Sequence, residues 1–284
     1  MAYYKEEVLG VVGYGIVGEA FVEGFKQNHE IHIYDKYKEF ETLDQVAQKS
    51  SIIFICLPTP FNEITKKIDL SILDENIDKL VKYTNNTEKV IVIKSTVVPG
   101  TTESYNKKYP FTNFAFNPEF LRESTYIEDF KNPDRTVIGS TSASIALRLL
   151  NIYTRAFPGK PVLRTDPTTA EMVKYMANSL LATIVLFNNI MFDICQSLGI
   201  SYEEAAKMVS MDRRLVSLKN YFEVTSARGW GGKCFWKDTN ALVGKAKDLK
   251  VDVSFIEKMI DENLRIRKVR DWQDIKWAVS KEDK

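Results

Sequence analysis

The sequence predicts an α/β fold in which a doubly wound parallel sheet is followed by an all-helical domain with a long central helix. Three observations predict this architecture. Short apolar runs alternate with helical stretches up to residue 165, a glycine-rich turn follows the first apolar run, and only helical periodicity continues after residue 165. Repeated strand–helix units with continuously apolar strands are typical of a parallel sheet that helices cover on both faces.

The strands are predicted from apolar runs bounded by turn residues. Such runs are too short for helices and rich in β-branched and aromatic side chains, which favours strands. In chain order they are VLGVV (8–12), IHIYD (31–35), SIIFICL (51–57), KVIVIKS (89–95), NFAF (113–116), RTVIG (135–139) and PVLRT (161–165). The spacings between them predict helices over residues 16–27, 71–83 and 142–153.

The second domain is predicted to begin where the strands stop. Asp166 followed by Pro167 suits the start of a helix, and Thr168 with Glu171 forms an alternative capping box. From there one long helical segment reaches residue 199, and we place the domain boundary between an N-terminal domain, 1–165, and a helical domain, 166–284. Further helices are predicted over residues 202–210, 237–249 and 255–267.

The C-terminal tail, DWQDIKWAVSKEDK, is charged and carries Trp272 and Trp277, both of which look exposed. It reads either as a short amphipathic helix or as a frayed end.

Composition limits the kinds of partner and compartment. The formal net charge of +1 argues against nucleic acid as a partner. The sequence also lacks a run of about 18 apolar residues that would predict a membrane span. The first strand follows the N-terminus too closely for a signal peptide. Three widely spaced cysteines indicate a reducing cytoplasm, and His29 and His32 lack the neighbours of a metal site.

The turn after the first strand is a candidate dinucleotide site. Gly13, Gly15 and Gly18 form a G-x-G-x-x-G set that follows a strand and opens a helix, and Asp35 ends the next strand. Such a turn brings backbone close to a pyrophosphate at a helix N-terminus, and the carboxylate binds the ribose hydroxyls. Because a carboxylate repels a 2′-phosphate, the sequence predicts a Rossmann-type domain that binds NAD rather than NADP.

The segment GWGGKCFWKD, residues 229–238, is a candidate catalytic loop around Cys234. Glycines open space beside the thiol, and Lys233 and Lys237 bring positive charge, which favours a thiolate. Cys56 and Cys195 lie in apolar segments and read as small hydrophobic residues. A reactive thiol near a nicotinamide suggests covalent oxidation through a thioester. The alternative is a surface turn that happens to contain a cysteine.

Three further groups of residues are candidates for the site. Lys174 and Asn178 share one face of an apolar helix and suit an oxyanion-stabilising pair, the alternative being a surface ion pair of Lys174 with Glu171. Glu119 and Glu123 follow a strand and stand four residues apart if a helix begins there, or they form a solvated helix start. Thr96, after another strand, contacts cofactor or substrate, or caps a helix.

The order of these motifs resembles the UDP-glucose/GDP-mannose dehydrogenase family over residues 8 to about 267. The motifs are the glycine turn, STVVPGTT, NPEFLRES with NPDR, EMVKYMANSLLA, MDRR and GWGGKCFWKD. The resemblance implies the four-electron oxidation of the C6 alcohol of a nucleotide sugar, most simply UDP-glucose, to a carboxylate with two NAD. It also implies a homodimer through the long helix, here residues 168–197.

The resemblance implies roles for residues by position. Cys234 resembles the thioester nucleophile, and Glu119 resembles the base that activates water for thioester hydrolysis. Lys174 and Asn178 resemble the pair that steadies the alkoxide, and Asp238 resembles the residue that, with Lys174, holds a water. Cofactor contacts are expected at Gly13, Gly15, Ile16, Val17, Gly18, Asp35, Thr96, Glu123 and Lys237, and substrate contacts at Glu119, Phe120, Leu121, Lys174, Asn178 and Gly231.

The sequence departs from the family pattern in two places. Trp236 stands where the cysteine motif usually has proline, which puts the turn that sets the thiol's angle in question. Family members continue into a third, nucleotide-binding domain, whereas this sequence stops at Lys284, so a partner chain or a smaller substrate is a further expectation. Two other hypotheses stay open: a two-electron dehydrogenase of the β-hydroxyacid type, and an NAD-binding module without turnover.

Overall fold

The computed structural model describes residues 7–275. Contacts divide the chain into two compact units, the first running up to Thr59 and continuing over Leu70–Lys174, the second comprising Pro60–Asp69 and the chain from Tyr175 onward. The strands are β1 (Leu9–Val12), β2 (Ile31–Tyr34), β3 (Ile52–Ile55), β4 (Phe61–Asn62), β5 (Lys67–Ile68), β6 (Val90–Ile93), β7 (Asn113–Phe116), β8 (Thr136–Gly139) and β9 (Val162–Thr165).

Helices follow most of the strands of the first unit and make up most of the second. They are α1 (Ile16–Phe25), α2 (Leu43–Lys49), α3 (Ser71–Thr84), α4 (Thr101–Lys108), α5 (Tyr126–Lys131), α6 (Ala143–Ala156), α7 (Pro167–Leu198), α8 (Tyr202–Val209), α9 (Gly232–Asp248) and α10 (Ser254–Ile266). Two 3₁₀ turns, Val216–Tyr221 and Asp271–Gln273, complete the described part of the chain.

The first unit contains a seven-stranded sheet in the order β2-β1-β3-β6-β7-β8-β9. The predicted doubly wound α/β class is confirmed. Neighbouring strands are parallel except β7 and β8, which pair antiparallel through Phe116 and Gly139. The chain leaves β1 for β2 on one side and returns to β3 on the other, and ligands of such sheets bind at this reversal, outside the carboxyl ends of the strands.

The sheet is buried on both faces because its central strands are apolar at every position. In β3, Ile52 and Phe54 pack into one core, whereas Ile53 and Ile55 pack into the other. The first core contains a cluster of phenylalanines from α1 and β3, in which the rings of Phe21 and Phe54 lie 4.3 Å apart. A continuous apolar run therefore yields a central strand rather than an exposed edge.

The second unit has its own core around tryptophans. Trp236 of α9 stacks on Trp272 with ring centroids 4.2 Å apart and an interplanar angle of 10°. Trp272 is completely buried, so the expectation that it is exposed was wrong, because an aromatic side chain in a charged segment can still complete a core. Trp277 lies outside the described residues.

The hairpin of β4 and β5 belongs to this second unit, although its chain interrupts the first. It contacts α9 so closely that a Cβ on Gly244 would lie 2.3 Å from the backbone oxygen of Lys66. This hairpin was not predicted from the sequence, because strands of two residues are too short to show an alternation of polar and apolar side chains.

Of the two caps predicted for helix α7, one is present in the structure. The backbone N–H of Thr169 donates to the Asp166 carboxylate at 2.8 Å, so Asp166, rather than the alternative box of Thr168 and Glu171, caps the helix.

Helix α7 is also long and apolar enough to cross a membrane by length and composition alone, with a mean hydropathy of 1.4. That is weak evidence, because the core helix of a soluble protein passes the same test. Two buried amides in its C-terminal half bind loops of the second unit: Asn188 donates to the Tyr221 carbonyl at 3.1 Å, and Asn189 accepts from the backbone N–H of Gly229 at 2.9 Å. These contacts are typical of a helix inside a folded helical unit.

Glu171, fully buried on α7, holds the N-terminal end of α4. Its carboxylate accepts hydrogen bonds from the backbone N–H of Gly100 at 2.6 Å and from the N–H and hydroxyl of Thr102 at 2.8 and 2.6 Å. The alternative of a surface pair with Lys174 is therefore wrong. Burial raises the pKa of Glu171 to about 7, although the bonds from Thr102 and Gly100 oppose that rise.

We predict that Glu171→Gln changes how stability depends on pH. A carboxyl whose pKa rises on folding stabilises the fold below its ordinary pKa of 4.5 and loses that contribution as the pH rises through about 7. Relative to Glu171→Gln, the free energy of unfolding of the wild type should therefore fall by about 1–3 kcal/mol between these pH values. Urea denaturation at a series of pH values measures this fall in the free energy of unfolding.

The matched control is Glu103→Gln, which removes a carboxyl from α4 itself. If the free energies of unfolding of the wild type and of Glu171→Gln change in parallel across this pH range, burial of the Glu171 carboxyl does not govern its protonation.

Candidate active site

The glycine turn of the first unit has the geometry of a pyrophosphate cradle. Gly13 has a φ of 97°, and a Cβ there would lie 2.6 Å from the backbone oxygen of Cys56. A Cβ on Gly18 would lie 2.0 Å from the backbone oxygen of Gly13, so both positions need glycine to keep turn, strand and helix in contact. Gly15 meets nothing within 4 Å, which leaves space for a ligand.

The start of α1 fits an anion. Gly15 is the N-cap and contributes no side-chain cap to the helix, and Ile16 and Val17 form the first turn. Backbone N–H groups at such an end bind phosphate oxygens without needing a side chain. The residues present therefore fit a dinucleotide pyrophosphate.

Asp35 follows β2 and is held beside the turn. Its carboxylate accepts hydrogen bonds from the backbone N–H of Tyr14 and of Tyr37, each at 2.8 Å. Lys38 donates to the Tyr14 carbonyl at 2.8 Å and so binds the same turn. The arrangement holds a negative charge where a ribose would lie, which favours NAD over a cofactor with a 2′-phosphate.

A buried ion pair lies in the first unit, where α7 meets the segment after β7. The Lys174 ammonium donates to Glu119 Oε1 at 2.8 Å, and Glu119 Oε2 accepts from the backbone N–H of Leu121 at 2.7 Å. Burial alone would raise the pKa of Glu119, but the charge of Lys174 and these hydrogen bonds together lower it. The ion pair with Lys174 therefore favours the carboxylate form of Glu119.

Phe120 extends this pair. Its ring lies 4.0 Å from the guanidinium carbon of Arg135 and 5.6 Å from Lys174 Nζ, so it contacts two cations through its face. Both Phe120 and Leu121 are half-buried.

Glu123 does not share a helix with Glu119. Residues 117–122 lie in neither a helix nor a strand, 123–125 form a turn, and α5 begins only at Tyr126. The expectation of a pair four residues apart on a helix was wrong, because Glu119 is used in the ion pair with Lys174 while Glu123 is exposed.

The segment after β7 begins at a buried polar cluster that was not predicted from the sequence. Lys94 donates to Asn117 Oδ1 at 2.8 Å, the Tyr153 hydroxyl donates to the same oxygen, and Asn117 Nδ2 donates to the Val137 carbonyl at 2.7 Å. Burial lowers the pKa of Lys94 to about 8. Lys94 stands at the end of the apolar run KVIVIKS. A lysine next to a buried strand is the sequence signal that could have indicated this cluster.

Thr96 lies in the loop between β6 and α4, and its backbone carbonyl accepts from the Thr59 hydroxyl at 2.7 Å. The cap for α4 comes from Glu171, and the N-cap position itself is Gly100 with a φ of 96°. The alternative role of Thr96 as a helix cap was therefore wrong.

The second unit holds a separate chain of buried polar groups. Asn178 Nδ2 donates to Asp238 Oδ2 at 2.6 Å, and Lys237 Nζ donates to Asp238 Oδ1 at 2.6 Å. All three residues are buried, none being more than 7% exposed. One carboxylate thus accepts from an amide on α7 and from an ammonium on α9, an arrangement that fixes the orientation of Asn178.

Cys234 is exposed and lies in the first turn of α9. The helix begins at Gly232, five residues before the predicted start at 237, with Gly231 as its N-cap. The prediction was late because glycines read as a loop, whereas here they form the start of the helix. Helix N-termini stabilise thiolates, and a thiol at this point can act as a nucleophile.

The other two cysteines differ from Cys234. Burial raises the pKa of Cys56 to about 12, which makes its thiol inert. Cys195 lies on α7 and is half-buried. No disulfide joins any two of the three.

Comparison with protein-family models gives two adjacent matches. Residues 19–157 match the model described as "UDP-glucose/GDP-mannose dehydrogenase family, NAD binding domain", and residues 168–265 match the model of the central domain of the same family.

Curated relatives agree with these matches. The UDP-glucose 6-dehydrogenase of Rickettsia prowazekii is 37% identical over 74% of this chain and 48% of its own length. UDP-glucose 6-dehydrogenase TuaD of Bacillus subtilis is 36% identical over 79% of this chain and 49% of its own length. The chain thus spans about half the length of the curated relatives it matches.

Solved structures share the fold. A UDP-glucose dehydrogenase from Pyrobaculum islandicum superposes with a TM-score of 0.82 at 27% identity, covering 93% of this chain and 69% of that one. A UDP-D-ManNAc dehydrogenase from Pyrococcus horikoshii superposes with a TM-score of 0.78 at 21% identity, covering 90% and 68%.

Proposed function

The chain belongs to the UDP-glucose/GDP-mannose dehydrogenase family, and we propose that it oxidises the C6 alcohol of a nucleotide sugar, UDP-glucose first among them, to a carboxylate. The oxidation uses two NAD and passes through a thioester on Cys234. The observation that carries this proposal is the exposed Cys234 thiol in the first turn of α9. A dehydrogenase that stops at the aldehyde or ketone has no use for such a thiol.

Bound NAD supplies the acceptor for one hydride in each oxidation. In the first, the alcohol loses a hydride from carbon and a proton from oxygen, and the alkoxide that develops needs cationic or N–H donors. Lys174 supplies an ammonium. Asn178 has two hydrogens on its amide nitrogen, so it can bind Asp238 and still donate to the sugar oxygen.

The second oxidation needs the thiol. The Cys234 sulfur adds to the aldehyde carbon, and the thiohemiacetal loses a hydride and a proton to become a thioester. Water then displaces the sulfur and yields the carboxylate. The Glu119 carboxylate takes the proton of that water, and the thiolate of Cys234 leaves. The proton released in each oxidation passes to a water that we assign to Asp238 and Lys174.

The remaining site residues position the two ligands. We assign Phe120, Leu121 and Gly231 to the sugar nucleotide, and Thr96, Glu123 and Lys237 to the cofactor near its nicotinamide. For Lys237 this assignment requires that the ammonium keep its bond to Asp238 while contacting the cofactor. We place the reaction in the cytoplasm, where the three cysteines stay reduced.

We predict that Cys234→Ser separates the two oxidations. A serine hydroxyl is a far weaker nucleophile than a thiolate at neutral pH, so the aldehyde is not converted to a thioester. Wild type should form two NADH per UDP-glucose consumed, and Cys234→Ser at most one, with no uronic acid. NADH absorbance and mass spectrometry of the sugar product measure both quantities.

The matched control is Cys195→Ser, which removes a half-buried thiol from α7 and should keep the wild-type ratio. A ratio of one NADH per sugar in the wild type favours the two-electron alternative. NAD binding without NADH formation from any of several nucleotide sugars favours a module without turnover.

We further propose a homodimer through α7. Five apolar side chains on this helix are between 46% and 67% exposed: Met176, Leu180, Phe187, Ile194 and Leu198. Their spacing places them within about 40° on one helix face, as a stripe ~33 Å long. Contiguous exposed apolar stripes of this length mark interaction surfaces, and the same stripe on a second copy is the simplest complement.

Phe187→Glu is expected to convert the dimer to a monomer, because a charge buried at the centre of an apolar interface is costly. Sedimentation velocity would show wild type at twice the chain mass of 32.6 kDa and the variant at that mass. Leu163→Glu, at an apolar position on β9 that is 51% exposed, is the control and should stay dimeric. A monomeric wild type would contradict the proposal.

A further inference from the structure

The loop that precedes Cys234 is bound by a segment that follows it by about 30 to 40 residues. Asn263 on α10 brackets Trp230: its Oδ1 accepts from the Trp230 N–H at 2.9 Å, and its Nδ2 donates to the Trp230 carbonyl at 3.0 Å. Arg267, just after α10, donates from Nη1 to the Arg228 carbonyl at 2.8 Å. Two side chains thus fix backbone at two points of the loop.

A third contact reaches the first residue of α9. Asp271 Oδ2 accepts from the backbone N–H of Gly232 at 3.2 Å. The same carboxylate binds Arg267 through Oδ2 at 2.9 Å and through Oδ1 at 3.3 Å. A carboxylate that accepts from an N–H of a first helical turn performs the function of a cap, and here it comes from 39 residues later in the chain.

The glycines of the loop follow from these contacts. A Cβ on Gly231 would lie 2.3 Å from Arg267 Nη2 and 2.5 Å from Asp271 Oδ1, and a Cβ on Gly229 would lie 2.4 Å from Asn263 Oδ1. Gly229 also has a φ of 53°. These residues are glycine because the side chains of Asn263, Arg267 and Asp271 occupy the space beside them.

We propose that Asp271 is a positioning residue for Cys234. It caps α9 from outside the loop, where the N-cap Gly231 has no side chain to do so, and Arg267 neutralises its charge beside the helix N-terminus. The stacked Trp236 and Trp272 anchor the same two segments. Cys234 is two residues beyond the capped N–H, so the cap fixes the turn that presents the thiol. The inference deepens the proposed role of Cys234 and rests on it.

The test compares Asp271→Ala with Asp271→Asn, because the amide keeps an acceptor oxygen for Gly232 while losing the charge. In Asp271→Ala, hydrogen exchange in residues 231–236 should accelerate about fivefold. Alkylation of Cys234 by iodoacetamide at pH 7 should slow about two- to fivefold as the helix N-terminus frays. Asp271→Asn should restore both rates to near the wild-type values.

Asp274→Ala, which removes an exposed carboxylate three residues away, is the matched control and should change neither rate. Tryptophan fluorescence at the wild-type emission maximum shows that the variants remain folded.

The inference is overturned if Asp271→Ala exchanges and alkylates like the wild type, if the asparagine variant behaves like the alanine variant, or if exchange rises equally throughout α9 and α10. None of these measurements uses NAD or a sugar, so they are independent of whether the proposed oxidation occurs.

Discussion

A buried ion pair between Lys174 and Glu119 joins the first turns of α7 to the segment after β7. Removing one partner from a buried ion pair leaves an uncompensated buried charge, so a single substitution strongly destabilises the protein. Replacing both partners with apolar residues is often neutral for stability. An ion pair is therefore a poor device for stability alone. Its position on α7, with Asn178 one helical turn further along, fits the proposed chemistry, which needs a cation and a carboxylate in a water-poor site.

A second theme is that polar side chains from distant segments hold the backbone of each functional turn. Asp35 binds the glycine turn, Glu171 binds the start of α4, and Asp271 binds the start of α9. Each of these carboxyl groups satisfies N–H groups that a helix or turn leaves without backbone partners. The turns can then use glycine, which approaches ligands closely, without becoming mobile.

The sequence was sufficient for the fold class and for much of the candidate site, because local patterns specify them. The seven predicted runs agree with the seven strands of the sheet to within two residues at each end. Gly13, Gly18 and Asp35 have the geometry that their spacing predicted. What the sequence did not predict depends on distant contacts. Lys94 and Asn117 meet only once β6 and β7 are adjacent, and the burial of Trp272 requires Trp236 to be in place.

Whether the ion pair serves catalysis rather than stability is tested by the double variant Lys174→Met, Glu119→Leu. NADH formation is measured with UDP-glucose and is compared with the variant's unfolding by urea. Each single variant should unfold more easily than the wild type, and the double variant should regain most of that stability. We predict that the double variant nevertheless forms NADH at least about 100-fold more slowly, since it lacks both the cation and the base. A double variant as active as the wild type would contradict the account.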